Sequence, residues 1–350
     1  EAQAVLADLM AVLPTESIQV PVDRVRVDAD KCAACLTCYR ACPHGAIQPN
    51  TSQHRMDILD PACWQCGICA AVCPGRALEH GSLRFRQMHD MLAAENVRFD
   101  QLVRTWLYIG DIVGPEGDTQ RYKEVNRART DFFKDYKFGR GLVPPDHPVE
   151  VYPASTGIGA DGRGLVMACI AFTADRDDIV AVPLENPRQT SAFDYGAVYS
   201  EKSPKFSRAM ALSCGRYATI LVSGTASITD SETRHCGDVA AQTHETLDNI
   251  AALIGEENLA RHGLPGHGAR LADLAFVRVY IKRREDYEKT RAVCEKRLGE
   301  LPTIYAFADV CRDDLLVEIE GIAFSRRLPE LRPHFPDQVA PHPSPRVQRG

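Results

Sequence analysis

Long apolar runs are missing from this chain, because no stretch approaches the roughly 20 apolar residues that a transmembrane helix needs. A basic segment followed by an apolar one is also missing from its start, so a secretory signal peptide is not expected. Basic charge is not in excess, since 41 Lys and Arg residues stand against 47 Asp and Glu residues and the formal net charge is −6. That balance gives no reason to expect nucleic acid or an anionic membrane as a partner.

The composition is that of a soluble globular protein, with 45% hydrophobic and 25% charged residues. A length of 350 residues allows two or three domains. Thirteen cysteines are many, but eight of them share a regular spacing and five are scattered, which fits a reducing cytoplasm better than a secreted disulfide scaffold. The histidines at 244, 262 and 267 lack metal-ligand spacing.

The eight regularly spaced cysteines form two runs of the pattern C-x2-C-x2-C-x3-C-P, at 32–43 and 63–74. Their members are Cys32, Cys35, Cys38, Cys42, Cys63, Cys66, Cys69 and Cys73. The pattern is typical of the thiolate ligands of bacterial-type ferredoxins, and zinc sites or disulfides, the alternatives, rarely need it twice. The sequence therefore predicts two [4Fe–4S] clusters. In this ferredoxin resemblance the fourth cysteine of each run serves the other cluster, which implies one cluster on Cys32, Cys35, Cys38 and Cys73 and the other on Cys63, Cys66, Cys69 and Cys42.

Outside the cysteine runs, hydrophobic periodicity predicts a mixed α+β protein. Helices are predicted at 83–94, 122–133, 244–254 and 287–298, and strands at 102–109, 165–172, 217–223, 274–281 and 315–324. Glycine, proline and polar residues predict loops over 138–164 and 173–210. A helix and a strand are expected within 1–27, and the proline-rich tail 331–350 is expected to be disordered.

The order helix, strand, helix, strand occurs twice in this region, which indicates two α+β halves packed side by side. The segment 103–109 matches 277–281, and Glu318, on an apolar strand, is paired by this alignment with Met167. The second half opens with strands at about 209–229 that the first half lacks, and the cysteine-rich segment occupies that place in the chain. The first half is therefore expected to be incomplete.

The same region resembles the chorismatases, FkbO-like enzymes of the RidA (YjgF) superfamily, over roughly 100–325. The segments that carry the resemblance are 104–111, 126–131, 153–159, 186–189, 203–209, 223–228 and 316–320. The resemblance implies a ferredoxin domain at 28–82, an incomplete first RidA-like half at 83–200 and a second half at 201–330.

The resemblance also implies hydrolysis of chorismate to pyruvate and a cyclic acid, without a metal or redox cofactor. Glu318 matches the catalytic glutamate of the family. A carboxylic acid poised near neutral pH protonates an enol ether best, and burial on an apolar strand raises the pKa of a Glu in that direction. The alternative is a core glutamate satisfied by backbone donors. Glu320, taken to lie on the opposite face of the strand, is a weaker candidate.

Chorismate carries two carboxylates, which call for cationic side chains and hydroxyl donors. The candidates for these contacts are Gln189, Tyr195, Tyr199, Lys205 and Arg208, each of which could instead be an ordinary surface or loop-anchoring residue. Gly224 and Cys311 match positions that in this family distinguish 3-hydroxybenzoate producers from enzymes that make a dihydroxycyclohexadiene acid. A Gly and a Cys there resemble the 3-hydroxybenzoate type, and simple packing is the alternative.

Two kinds of function remain open for the whole chain. It is either a chorismatase-like enzyme with an attached ferredoxin, or an electron-transfer module for a redox partner protein whose RidA-like region is a non-catalytic docking domain. A third interpretation is that the clusters regulate or stabilise the catalytic domain. Enol ether hydrolysis exchanges no electrons, so the two parts are not linked by chemistry. Assembly into an oligomer is left open.

Overall fold

The computed structural model describes residue 27 and residues 32–42, 45–59, 69, 81–116, 119–139, 142–143, 150–162, 164–176, 178–196 and 201–327, with 81–83 as backbone only. Several predictions fall on residues outside this set. They are the helix and strand within 1–27 (residue 27 excepted), the tail 331–350, Tyr199 and three of the ligand cysteines. Within it, no helix is both long and apolar enough to cross a membrane.

The described residues of the cysteine-rich segment include a short helix and a hairpin. Helix α1 is Thr37–Ala41, and strands β1, Ile47–Asn50, and β2, Arg55–Ile58, pair antiparallel. Alternate hairpin residues face inward, so Ile47 and Met56 are almost fully buried. They form a small apolar cluster with the cysteines nearby.

The rest of the described chain contains five further helices and thirteen strands. The helices are α2 Gly81–Ala94, α3 Arg121–Phe133, α4 Val239–Ile254, α5 Glu256–Arg261 and α6 Tyr287–Leu298. The strands are β3 Leu102–Gly110, β4 Pro115–Glu116, β5 Thr119–Gln120, β6 Ala154–Ala160, β7 Leu165–Ala171, β8 Ile179–Leu184, β9 Ala209–Cys214, β10 Tyr217–Ala226, β11 Ile228–Thr229, β12 Glu232–Thr233, β13 Leu274–Ile281, β14 Thr303–Phe307 and β15 Val317–Arg326.

Two larger sheets carry the fold. One has six strands in the order β14-β13-β15-β10-β9-β8, and the other has three in the order β6-β3-β7. Strand β3 runs parallel to β6 and antiparallel to β7, as β13 does to β14 and β15. The unit α2-β3-α3-β6-β7 therefore repeats the unit α4-β13-α6-β14-β15. In the described part of the chain, the three-stranded sheet has no counterparts of β9 and β10.

Each sheet is covered by helices on one face and turns its other face to the second sheet. In β13, Val277, Val279 and Ile281 pack under the helices in the largest core cluster, while Tyr280 belongs to a cluster shared with Ile158 of β6. This follows from the strand period of two, which sends alternate side chains to opposite faces. The space between the two sheets is where polar groups of both repeats meet.

The α+β class predicted from periodicity is confirmed, and α6 and β13 have their predicted bounds. Helix α4 begins five residues before its predicted start, because Asp238 caps it by accepting a hydrogen bond from the Ala241 amide at 3.0 Å. The loop predictions were wrong over 154–160 and 179–184, which are strands β6 and β8.

Close contacts explain the glycines that disguised β6 as a loop. A Cβ atom on Gly157 would lie 3.0 Å from the Tyr122 ring, and one on Gly159 would lie 2.8 Å from the Asp309 backbone. Glycine is needed at both positions because neighbouring elements approach this strand so closely.

Candidate active site

A cavity of about 240 Å3 lies where the two repeats meet. Its walls come from α3, from the facing strands β6, β10 and β15, and from the loops before β9 and β15. Five residues singled out in the sequence line it together: Tyr195, Arg208, Gly224, Cys311 and Glu318. Such a volume suits a small ligand rather than a large one.

Glu318 is the carboxylic acid of this cavity. It lies on β15, between the sheets, and is only 4% exposed. No group in the described part of the chain donates a hydrogen bond to its carboxyl group, so little there stabilises the charged form. Burial raises the pKa of Glu318 to about 8, and the negative charge of Glu320 adds to this, while Arg104 and Arg208 act in the opposite direction. The acid therefore keeps its proton at neutral pH.

Gly224 makes the space that the Glu318 carboxyl group occupies. It lies in an irregularity of β10, where the pairing with β15 shifts between Val222 and Thr225. A Cβ atom on Gly224 would lie 2.0 Å from Oε1 of Glu318 and 3.0 Å from Cγ2 of Thr156. The Gly224 amide donates to the Thr156 hydroxyl at 2.9 Å, which holds the bulged backbone in place.

Arg208 forms one cationic wall of the cavity. Its Nη2 donates to the Tyr195 hydroxyl at 2.6 Å and to the Thr190 carbonyl at 2.8 Å, while Nε has no partner in the described structure. Glu185 lies behind it and accepts hydrogen bonds from the Arg208 backbone amide, at 3.4 Å, and from the Ser191 side chain. Burial raises the pKa of Glu185 to about 7 although the charge of Arg208 opposes this.

A second buried cation, Arg129, faces the same cavity from α3 and was missed in the sequence. It is 2% exposed, donates to Asn126 at 2.6 Å, and has no partner for Nε among the described residues. Tyr122, Asn126 and Arg129 all line the cavity because they share one face of the helix, at positions i, i+4 and i+7. That spacing is the sequence signal that could have identified them.

Neither Arg129 nor Arg208 has a carboxylate within 4.0 Å in the part of the chain that the structure describes. Buried guanidinium groups are ordinarily paired. Two of them facing one small cavity without acidic partners can bind a ligand that carries negative charge.

Glu320 lies on the same face of β15 as Glu318, so the prediction that it faces the opposite side was wrong. Residues two apart on a strand share a face. Its carboxylate is 3% exposed and accepts hydrogen bonds from Arg104 at 2.6 Å and Arg278 at 2.5 Å. Its needs are met within the protein, and it does not line the cavity.

The predicted pairing of Glu318 with Met167 was also wrong. Met167 pairs with Leu107 and packs with the cluster under α2 and α3, on the helix-covered face. Glu318 points to the facing sheet, so the two residues occupy opposite faces of equivalent strands.

Two predicted contact residues, Gln189 and Lys205, do not line the cavity. Gln189 is buried, donates to the Ile228 carbonyl at 3.0 Å and accepts from Asn186 at 3.2 Å. The Lys205 ammonium lies 5.4 Å from the centre of the Tyr152 ring. Tyr199 lies outside the described residues. Substrate contact by these three stays a prediction.

Cys311 lines the cavity as a neutral thiol, because burial raises its pKa to about 12 and the Glu318 charge adds to the effect. It can therefore shape the cavity but is not poised as a nucleophile, which would need the thiolate.

The described cysteines of the first segment fit iron–sulfur ligation. Cys38 and Cys69 are buried in one apolar cluster that Cys32 and Cys42 also contact, and none of these thiols is in a disulfide. Ala34 and Leu36, between the first three cysteines, both adopt left-handed backbone angles, which non-glycine residues rarely do. Such strain persists where the surroundings impose it, as around a bound group. Cys63, Cys66 and Cys73 lie outside the described residues.

Residues 18–77 match the family described as a 4Fe-4S dicluster domain, which confirms the iron–sulfur prediction. The chain is also similar to curated chorismatases and to a 3-hydroxybenzoate synthase. A "Chorismatase" of Streptomyces rapamycinicus is 40% identical over 232 residues, which span 64% of each chain. A "3-hydroxybenzoate synthase" of Streptomyces hygroscopicus is 34% identical over 264 residues, 73% of each chain.

The fold agrees with these sequence similarities. The crystal structure of a chorismatase superposes with a TM-score of 0.60 at 32% identity, and the match covers 69% of each chain. These matches cover 69% and 73% of the chain and not an isolated motif. The resemblance stated from the sequence is therefore confirmed.

Proposed function

Because the chain belongs to the chorismatase family, we propose that it cleaves the enol ether of chorismate to give pyruvate and a cyclic acid. The observation that carries the proposal is that one cavity contains both a neutral buried acid, Glu318, and two buried arginines that lack acidic partners in the described structure. Chorismate offers two carboxylates and one enol ether, which is the set of groups that such a cavity can bind and protonate.

Arg129 and Arg208 are proposed to bind the two carboxylates from opposite walls. Arg208 is anchored by Tyr195 and Thr190, and Arg129 by Asn126. Charge-assisted hydrogen bonds from groups already held in place lose little freedom when the ligand arrives. The substrate would therefore be oriented before any proton moves.

Glu318 is proposed to act as the general acid. Its proton goes to the terminal methylene carbon of the enol ether, which leaves an oxocarbenium centre at the ether carbon. A water molecule adds to that carbon to form a hemiketal. The hemiketal then collapses, and the bond between the former ether carbon and the oxygen on the substrate ring breaks to release pyruvate. The proton lost by water restores the acid. Hydrolysis consumes one water, and formation of 3-hydroxybenzoate requires that the ring then lose one.

The 3-hydroxybenzoate product is proposed from Gly224 and Cys311. Both line the cavity, and both match the hydroxybenzoate type of the family. Gly224 has no side chain and the Cys311 thiol is uncharged, so the part of the substrate ring beside them would lie in an apolar setting. Such a setting disfavours a second water molecule near the ring.

The iron–sulfur domain is proposed to hold two [4Fe–4S] clusters with the crossed ligand sets given by the ferredoxin pattern. When bound, such clusters supply one-electron transfer, which the proposed cleavage does not use. The alternative of a non-catalytic docking region is disfavoured by the cavity, since a relic would have no need to keep an unpaired buried acid beside two unpaired arginines.

The test is release of pyruvate from chorismate, measured by coupling to lactate dehydrogenase, with the aromatic product identified by chromatography against authentic 3-hydroxybenzoate. The wild-type chain is expected to release one pyruvate per chorismate, and Glu318→Gln is expected to release it at least about 10²-fold more slowly. Turnover at the wild-type rate in Glu318→Gln contradicts the assigned role. Absence of pyruvate from both proteins contradicts the proposed activity itself.

A further inference from the structure

A buried polar network lies beside the cavity without touching it, and Glu320 is at its centre. Five side chains donate to this carboxylate: Arg104 at 2.6 Å, Arg278 at 2.5 Å, Tyr280 at 3.0 Å, Trp106 at 3.0 Å and Thr156. Arg104, Trp106 and Thr156 belong to the three-stranded sheet, and the other two donors belong to the six-stranded sheet. The network thus joins the two repeats.

This network reaches Glu318 through two residues, Thr156 and Gly224. The Thr156 hydroxyl donates to Glu320 and accepts from Arg104 at 2.5 Å and from the Gly224 amide at 2.9 Å. Gly224 in turn borders the Glu318 carboxyl group, which a Cβ atom there would displace. A continuous set of contacts therefore runs from Glu320 through Thr156 and Gly224 to the acid.

We infer that Glu320 is a positioning residue of the site, which fixes the bulge at Gly224 through Thr156 and sets the electrostatic environment of Glu318 through its charge. Residues two apart on a strand are separated by about 6.5–7 Å, close enough for a strong interaction in a buried site. This inference rests on the proposed function, because it assigns Glu320 a part in the same reaction.

The effect of the Glu320 charge on Glu318 and the effect of the Thr156 hydrogen bond on the bulge at Gly224 should change the pH profile of activity in different ways. Glu320→Gln removes a negative charge and leaves two arginines nearby, so the alkaline limb of the kcat/KM profile should move down by about one to two pH units. The ratio of kcat/KM at pH 8.5 to kcat/KM at pH 5.5 should then fall by about 8-fold to 60-fold. Arg104→Gln removes a positive charge and should move the same limb up.

Thr156→Val removes the hydroxyl without changing any charge. It should lower kcat at every pH and leave the alkaline limb in place. Glu245→Gln is the matched control, because Glu245 is also a partly buried glutamate paired with an arginine, Arg188 at 2.7 Å, but lies outside the network. It should change neither the limb nor kcat.

A second readout does not depend on turnover. The carboxyl stretch of protonated Glu318, identified by its loss in Glu318→Gln, can be titrated by difference infrared spectroscopy in each variant. Opposite movements of this titration in Glu320→Gln and Arg104→Gln support the inference even if chorismate is not cleaved, which would contradict only the proposed function. If both variants titrate as the wild type does, Glu320 has no such role, whether or not pyruvate is formed.

Discussion

Replacing Glu318 with Gln should abolish activity and at the same time stabilise the protein at alkaline pH. The side chain has an ordinary pKa of 4.5 and a pKa of about 8 in the folded protein. Between these values the folded state keeps a proton that the unfolded state has released. The contribution of Glu318 to stability is therefore largest below pH 4.5 and is lost as the pH rises to about 8.

The size of this effect follows from the difference between the two pKa values. Each pH unit corresponds to about 1.4 kcal/mol, so burial of the ionised carboxylate costs about 3–5 kcal/mol of folding free energy at pH 9. Gln has the same shape and no charge, so Glu318→Gln escapes this cost. Its Tm should exceed that of the wild type by about 10 °C at pH 9 and should equal it at pH 4.5–5.

The catalytic side of the same prediction uses the same pKa. The protonated fraction of Glu318 in the free enzyme falls about tenfold between pH 7 and pH 9, and kcat/KM for pyruvate release should follow it. Loss of the general acid in Glu318→Gln should lower kcat by about 10²–10⁴ at pH 7.

Thermal unfolding by differential scanning fluorimetry at pH 5 and pH 9, together with the pyruvate assay, measures both effects. Glu257→Gln is the matched control, since its carboxylate is on the surface in an exposed pair with Arg261 and should change stability by no more than about 0.5 kcal/mol at either pH. The reasoning fails if Glu318→Gln is less stable than the wild type at pH 9, or if wild-type kcat/KM is flat from pH 7 to pH 9.

Three other outcomes are expected. Gly224→Ala should lower kcat by about 10–100-fold, because the new Cβ atom forces the Glu318 carboxyl group to move by an ångström or more, whereas Gly164→Ala, with nothing within 4 Å of its new Cβ atom, should not. Arg129→Gln should raise KM for chorismate by about 30-fold or more with a smaller change in kcat, and an unchanged KM would exclude a contact with a carboxylate. Cys38→Ser should reduce the iron content of anaerobically purified protein from about eight per chain and weaken the absorbance near 400 nm, while exposed Cys236→Ser keeps both; zinc in place of iron would refute the cluster assignment.

Elements with a strong apolar period could be predicted from the sequence, and those shaped by contacts could not. Strand β13 has the predicted bounds because its alternating Val and Ile residues form a buried face that no other structure would satisfy. Strand β6 is predicted as a loop because it contains glycines. These glycines are needed for the close contacts with Tyr122 and Asp309, which are distant in sequence. No local pattern contains that information.

The site shows the same division. Glu318, Arg208, Tyr195, Gly224 and Cys311 were predicted through a family resemblance, and the structure brings all five to one cavity. The resemblance could not show why a glycine is required beside the acid, because the reason is that a Cβ atom on Gly224 of β10 would lie 2.0 Å from Oε1 of Glu318 on β15.

The charge balance of the site was also beyond sequence reasoning, because it depends on which buried charges are paired. Several arginines lie in or beside the interface between the repeats, and a count of residues treats them alike. In the structure, Arg104 and Arg278 share the single carboxylate of Glu320, while Arg129 and Arg208 have no carboxylate within 4.0 Å in the described residues. Glu318 therefore lies between a network whose carboxylate, Glu320, is hydrogen-bonded and a cavity whose two buried arginines lack acidic partners in the described residues. A dianionic ligand would offset the positive charges of Arg129 and Arg208, and its negative charge would raise the pKa of Glu318 further, so binding itself would help to keep the proton on the acid that must deliver it.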